Sequence, residues 1–94
     1  MNDEQRHFLA LVGQAPARLT AEQTACLLNC QPYDIPLLVA ARLLRPLGDS
    51  PANTVKYFSL EEIRQLMRDR AWLSRMTNTL QHYWHRKNHR GQSQ

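Results

Sequence analysis

Three histidines near the C-terminal end of the chain have the spacing of a metal-binding row. His82, His85 and His89 stand at i, i+3 and i+7, so a helix would place their imidazoles on one side. Zinc prefers four tetrahedral ligands, and the fourth would have to come from His7, a cysteine or a carboxylate. Nothing in the sequence places such a group beside the row, so we expect no metal and no cofactor.

Two other residue types capable of chemistry have simpler explanations. Cys26 and Cys30 form a Cys-x3-Cys pair without a second pair at zinc-ribbon spacing, and Cys30 is better explained as a core thiol. Ser59 begins a helix-capping pattern with Glu62, and no nucleophile-elbow glycines flank it. The chain also lacks a glycine-rich phosphate loop. We therefore expect no catalytic residues and no enzymatic activity.

The basic residues are concentrated in the last third of the chain. The whole sequence has 12 Lys and Arg against 8 Asp and Glu, a net charge of +4. Residues 64–94 contain seven of these bases and one acid, whereas residues 1–63 contain five bases and seven acids. This polarisation favours an acidic partner such as nucleic acid, a membrane surface or an acidic protein face.

Length and composition limit the class of protein. A sequence of 94 residues accommodates one small core but no second domain. Two cysteines are too few for a secreted disulfide scaffold, the first residues lack a signal-peptide pattern, and no run approaches the ~20 apolar residues of a membrane span. We expect a soluble cytoplasmic protein without a membrane partner.

Glycine and proline divide the first half of the chain into short helices. Residues 3–12 begin with an acidic first turn and predict a helix that ends at Gly13. Thr20 and Gln23 form a capping box, which predicts a helix from about Ala21 to Leu28. The apolar run 35–44 predicts the next helix, which begins at Pro32 or Asp34 and ends at about Leu44.

The second half begins with a turn-rich segment. Residues 47–54 are followed by the β-prone residues 55–58, which together predict a small hairpin. Ser59 then caps a further helix. From Leu60 to Arg90 there is no Gly or Pro, so this stretch is either one long helix or two helices joined near residues 69–71.

The predicted order is a capped helix, a tight turn, a second helix, a small hairpin and another capped helix. The matching segments are Leu19-Thr20-Ala21-Glu22, Ala25, Leu27-Leu28, Asn29-Cys30-Gln31-Pro32, Ile35, Leu38 and Tyr57-Phe58-Ser59-Leu60-Glu61-Glu62-Ile63. Over about residues 19–67 the sequence resembles the winged helix-turn-helix DNA-binding domains of the MerR and excisionase-like superfamily.

The resemblance implies a mainly α fold, a winged helix-turn-helix with a small β-hairpin wing, plus a C-terminal amphipathic helix. It divides the chain into an N-terminal helix and linker (1–18), the winged domain (19–68), and a basic amphipathic helix with a frayed tail (69–94). It also implies double-stranded DNA as the partner, in bacterial transcription regulation or recombination.

The second helix departs from the family pattern. The resemblance implies Ser, Thr, Arg and Lys on its exposed side, where they would read bases in the major groove. Here the stretch offers Gln31, Tyr33 and Asp34, followed by apolar residues. Asp34 would be repelled by phosphate, and Leu37 can contact nothing beyond a thymine methyl. We therefore expect DNA contacts mainly to the backbone, from Arg45, Lys56, Arg86 and Lys87, with Gln31, Tyr33 and Asn53 as candidate polar readers.

An apolar stripe follows the predicted C-terminal helix. Its members recur at helical spacing and are Trp72, Leu73, Met76, Leu80, Tyr83 and Trp84. The stripe either folds back onto the chain's own domain or forms an antiparallel homodimer, the arrangement that the resemblance implies. An alternative function follows from this stripe and Leu37, namely a degenerate winged helix that binds another protein without DNA readout. The basic tail 86–90 either follows a phosphate backbone or is a solvated end.

Overall fold

A computed structural model of the chain describes residues 2–12, 15–49, 51 and 54–92; the side chains of 8–12 and 89–92 lie outside the description. The described part is mainly helical, with two short strands. In chain order the elements are α1 (Asp3–Val12), β1 (Arg18–Thr20), α2 (Ala21–Leu28), a 3-10 turn (Pro32–Asp34), α3 (Ile35–Ala40), β2 (Tyr57–Ser59), α4 (Leu60–Met67) and α5 (Arg70–Gln92).

A side-chain cap fixes the start of the predicted helix α2, and a left-handed backbone turn fixes its end. The Gln23 backbone N–H donates to Thr20 Oγ1 at 3.1 Å, and the Thr20 N–H donates to Gln23 Oε1 at 3.0 Å, which confirms the capping box. At the other end Asn29 has the left-handed φ of 56°. The Cys30 N–H then reaches Ala25 O at 2.9 Å, so the chain turns sharply toward α3.

Helix α3 ends at Ala40, four residues before the end that the apolar run predicted. Arg42 adopts a left-handed φ of 63°, and the Leu43 N–H donates to Leu38 O at 2.9 Å. This Schellman-type turn stops the helix without glycine. It directs Leu44 into the core, where a straight helix would have carried that side chain away. The prediction of a helix to Leu44 was therefore wrong.

The sheet pairs the strand that precedes α2 with the strand that follows α3. Strand β1 runs antiparallel to β2, with Leu19 opposite Phe58, and both side chains are buried. The predicted hairpin over 47–58 is not what the described residues form, because β2 takes β1 as its ladder partner. The preceding segment contributes one hydrogen bond, from the Leu47 N–H to Tyr57 O at 2.8 Å. Burial of the Leu19–Phe58 pair favours this arrangement over a ladder within the exposed turn.

The last third of the chain forms two helices rather than one. Helix α4 ends at Met67, and Asp69 accepts the Trp72 N–H at 3.1 Å, as an N-cap does. The two-helix alternative is thereby confirmed. The buried hydrophobic core joins the two strands and helices α2 to α5. It comprises Leu19, Ala25, Ile35, Leu38, Leu44, Phe58, Ile63, Trp72 and Met76. Among the described residues no helix is long and apolar enough to span a membrane.

Candidate nucleic-acid interface

The start of α3 is organised by a single carboxylate, that of Asp34. This side chain is only 6% exposed. Its Oδ2 accepts the Gln31 backbone N–H at 3.0 Å, and its Oδ1 accepts the Trp84 indole N–H at 2.8 Å. Both oxygens of the Asp34 carboxylate thus accept hydrogen bonds within the protein. The sequence had suggested instead that this carboxylate would face DNA and be repelled by phosphate.

Trp84 is the centre of an aromatic cluster that joins α5 to this point. Its ring meets Tyr33 edge-on, with centroids 5.4 Å apart, and meets Tyr83 in the same way at 4.9 Å. Such T-shaped contacts are favourable for aromatic pairs. Tyr33 remains 61% exposed, so much of its surface is open to a ligand.

One of the predicted cations contacts this aromatic cluster directly. Lys87 Nζ lies 5.2 Å from the centroid of the Trp84 ring, within the range of a cation–π contact. Arg86 is the next residue on α5, and its side chain is exposed. The fold therefore brings Gln31, Tyr33 and Lys87 together around Asp34 and Trp84. We call these three residues, with Arg86 on the same turn of α5, the basic-aromatic site.

Two further predicted DNA contacts, Arg45 and Lys56, lie between α3 and β2. Arg45 is exposed on the segment between α3 and β2, and Lys56 Nζ donates to Pro51 O at 3.4 Å on the same segment. Across the described ranges, no hydrogen bond or ring contact joins these two residues to Trp84. Asn53 lies outside the described residues.

The apolar stripe of α5 is largely part of the chain's own core. Trp72 is 4% exposed and donates its indole N–H to Leu43 O at 2.9 Å, and Met76 is buried beside it. Leu73 and Leu80 pack against the same cluster. The self-packing alternative therefore holds for these four residues. Of the other predicted interface residues, Leu37 is half-buried and Tyr83 is exposed.

An apolar groove beside α3 was missed by the sequence analysis. Its volume is about 760 Å³, and Ala40 lies exposed on its wall. Val55, which the sequence indicated only as β-prone, is 71% exposed at its edge. The groove is lined by Thr20, Ala21, Glu22, Pro32, Ile35, Pro36, Val39, Ala40, Thr54, Val55, Lys56 and Phe58.

The histidines and cysteines do not form a common site. His82 and His85 are exposed on α5, and the His89 side chain lies outside the description. No group of three potential metal ligands lies together within the described part of the chain. Burial raises the pKa of the Cys30 thiol from 9.0 to about 11, and the negative charge of Asp34 adds to this effect.

We expect Cys30 to react slowly with iodoacetamide at pH 8, because a pKa of about 11 leaves only about one thiol in a thousand as the reactive thiolate. Its rate should rise about tenfold per pH unit until the pH approaches that pKa. Mass spectrometry of alkylated peptides separates Cys30 from Cys26, which is exposed and should be modified first. Equal rates at the two cysteines at pH 8 would contradict this expectation.

A comparison of the chain with protein-family models, with curated proteins and with solved structures finds no match.

Proposed function

We propose that this chain is a small DNA-binding module that contacts a duplex through the start of α3 and the basic end of α5. In this proposal α2, the turn at Asn29 and α3 act as a helix-turn-helix of the MerR-like or excisionase-like kind. The segment between α3 and β2 takes the place of the wing. The biological role would be in transcription regulation or recombination.

The observation that carries the proposal is the basic-aromatic site. Gln31 and Tyr33 are exposed at the open start of α3, which is the end that a recognition helix directs at base edges. Lys87 lies over the Trp84 ring at the same end, and Arg86 is an exposed cation on the same turn of α5. Polar groups able to contact bases thus lie close to a cation able to contact phosphate, with a second cation on the same helical turn.

The chemistry of this surface favours backbone contacts over sequence reading. The Gln31 amide is the one side chain here with the donor and acceptor pair that matches adenine. Tyr33 offers a hydroxyl and an exposed ring. Farther along α3 the exposed residues are Pro36 and Ala40, which cannot donate to a base. We therefore expect binding that depends strongly on salt and weakly on sequence.

The test is a titration of a mixed-sequence duplex of about 20 base pairs with the full chain at low salt, followed by gel shift or fluorescence anisotropy. Non-specific binding should reach half-saturation at tens of micromolar protein or below. The single strand of the same sequence is the matched control, and it should bind more weakly. If tens of micromolar protein leave the duplex unbound at low salt, the proposed function is wrong.

A second candidate is the protein-binding module, and the apolar groove favours it. Among the residues that line the groove, Glu22 and Lys56 are the only charged ones, so the groove attracts phosphate little. Its open Val55 and Ala40 suit the apolar side chains of a protein segment. The duplex titration separates the two candidates, because this one requires no DNA binding.

A further inference from the structure

We infer that Trp84 is a positioning residue, which holds the basic end of α5 against the start of α3 so that both contact the same duplex. The inference rests on the proposed function, and it adds the residue on which the geometry of the basic-aromatic site depends. Trp84 itself would not have to touch DNA.

The basic end of α5 lies beyond the part of the helix that packs on the core. Trp72 and Met76 are buried in its first two turns, and Leu80 is the last described residue of α5 that packs against the core. Arg86 and Lys87 follow Leu80 by six and seven positions, which corresponds to about 9–10 Å along an α-helix. These two cations therefore lie past the last core contact, where a further attachment would fix their position relative to α3.

Trp84 supplies the missing attachment through the carboxylate of Asp34. Its indole N–H donates to Asp34 Oδ1 at 2.8 Å across 50 positions of sequence. The other oxygen of the same carboxylate accepts the Gln31 N–H at 3.0 Å. Hydrogen bonds to a charged acceptor are stronger than neutral ones. One carboxylate thus joins the first residue of the proposed base-contacting segment to the last turns of α5.

The ring of Trp84 also places the two side chains nearest the proposed DNA. Tyr33 packs edge-on against it at 5.4 Å, and Lys87 Nζ lies 5.2 Å from its centroid. When two sets of contacts are held on one rigid surface, the second forms with little additional ordering cost. We therefore expect α3 and the cations of α5 to bind cooperatively in the unchanged chain, and independently once Trp84 is detached.

The experiment is a double-mutant cycle in the duplex titration. Trp84→Phe keeps an aromatic ring for Tyr33 and Lys87 but removes the indole N–H, and it should weaken binding roughly tenfold. Arg86→Gln with Lys87→Gln should weaken binding strongly in the unchanged chain and much less in the Trp84→Phe background. Additive losses in the cycle, with the unchanged chain binding normally, would overturn the positioning role and leave the proposed function intact.

Amide hydrogen exchange without DNA tests the attachment of Trp84 to Asp34 independently of DNA binding. Trp84→Phe should speed amide exchange over residues 81–88 while the exchange of core residues near Trp72 stays the same. Tyr83→Phe is the matched control, because it keeps the ring that contacts Trp84 and should leave exchange unchanged. Exchange in Trp84→Phe that equals the parent would overturn the inference, whereas failure of the parent to bind any duplex would contradict the proposed function itself.

Discussion

Replacing Trp72 with Ala is expected to lower the free energy of unfolding by about 3–5 kcal/mol. The indole is 4% exposed within the core cluster, so its removal leaves a cavity that the surrounding side chains fill only in part. It also removes the donor that satisfies Leu43 O at 2.9 Å. Because small domains are stable by only about 5–15 kcal/mol, this loss should be visible as a large shift in urea denaturation followed by circular dichroism.

Two further substitutions separate packing from hydrogen bonding at this position. Trp72→Phe retains much of the buried ring but leaves the Leu43 carbonyl without its partner, and we expect an intermediate loss of about 1–3 kcal/mol. Val55→Ala is the control, since Val55 is 71% exposed and surface changes usually lie within about 0.5 kcal/mol. A denaturation midpoint for Trp72→Ala equal to that of Val55→Ala would show that α5 does not pack on the core.

Local signals in the sequence predicted the helices well where a side chain itself fixes the end. The capping box of Thr20 and Gln23 acts between residues three positions apart, so the sequence alone is enough to place it. The end of α3 depends instead on the left-handed conformation of Arg42. Because this residue is not a glycine, the sequence contains no signal that the helix ends there. The turn places Leu43 O next to the Trp72 indole, a contact 29 positions away along the chain that periodicity does not reveal.

The sheet shows the same limit of local reasoning. Of the residues 55–58 that were indicated as β-prone, only Tyr57 and Phe58 lie in a strand. This strand, β2, spans Tyr57–Ser59 and pairs with Arg18–Thr20. The decisive contact is between Leu19 and Phe58, which are both buried. A hairpin rule considers only neighbouring segments, whereas burial of this pair acts between segments nearly 40 positions apart.

The candidate site was predicted by residue type but not by arrangement. Gln31, Tyr33 and Lys87 were identified as polar or basic, and the fold brings them together. Asp34 was interpreted as a carboxylate that would repel phosphate, yet both of its oxygens accept hydrogen bonds within the chain. Its partner Trp84 belongs to a stripe that periodicity assigned to packing. Only the three-dimensional contact shows that this tryptophan attaches α5 to the start of α3.

In the proposed function the cations of α5 are the main determinants of DNA affinity, because α3 is short and apolar. Arg86→Gln with Lys87→Gln should therefore have the largest effect on binding among surface changes. Each lost phosphate contact reduces the magnitude of the negative slope of log K against log salt by about 0.9. The two substitutions together should therefore reduce this magnitude by about 1.8. Between 50 and 200 mM salt the parent should consequently lose roughly tenfold more affinity than the variant.

A matched control distinguishes specific phosphate contacts from net charge. Arg64→Gln with Arg68→Gln removes the same charge from exposed positions at α4, away from the basic-aromatic site. Long-range attraction is largely screened beyond about 8–10 Å at physiological salt, so this control should leave the slope nearly unchanged. Equal slopes for the two double variants would mean that the duplex senses only the overall positive charge. The lower slope in the α5 variant alone would instead identify Arg86 and Lys87 as phosphate contacts, because counterion release counts only cations that replace ions at the backbone.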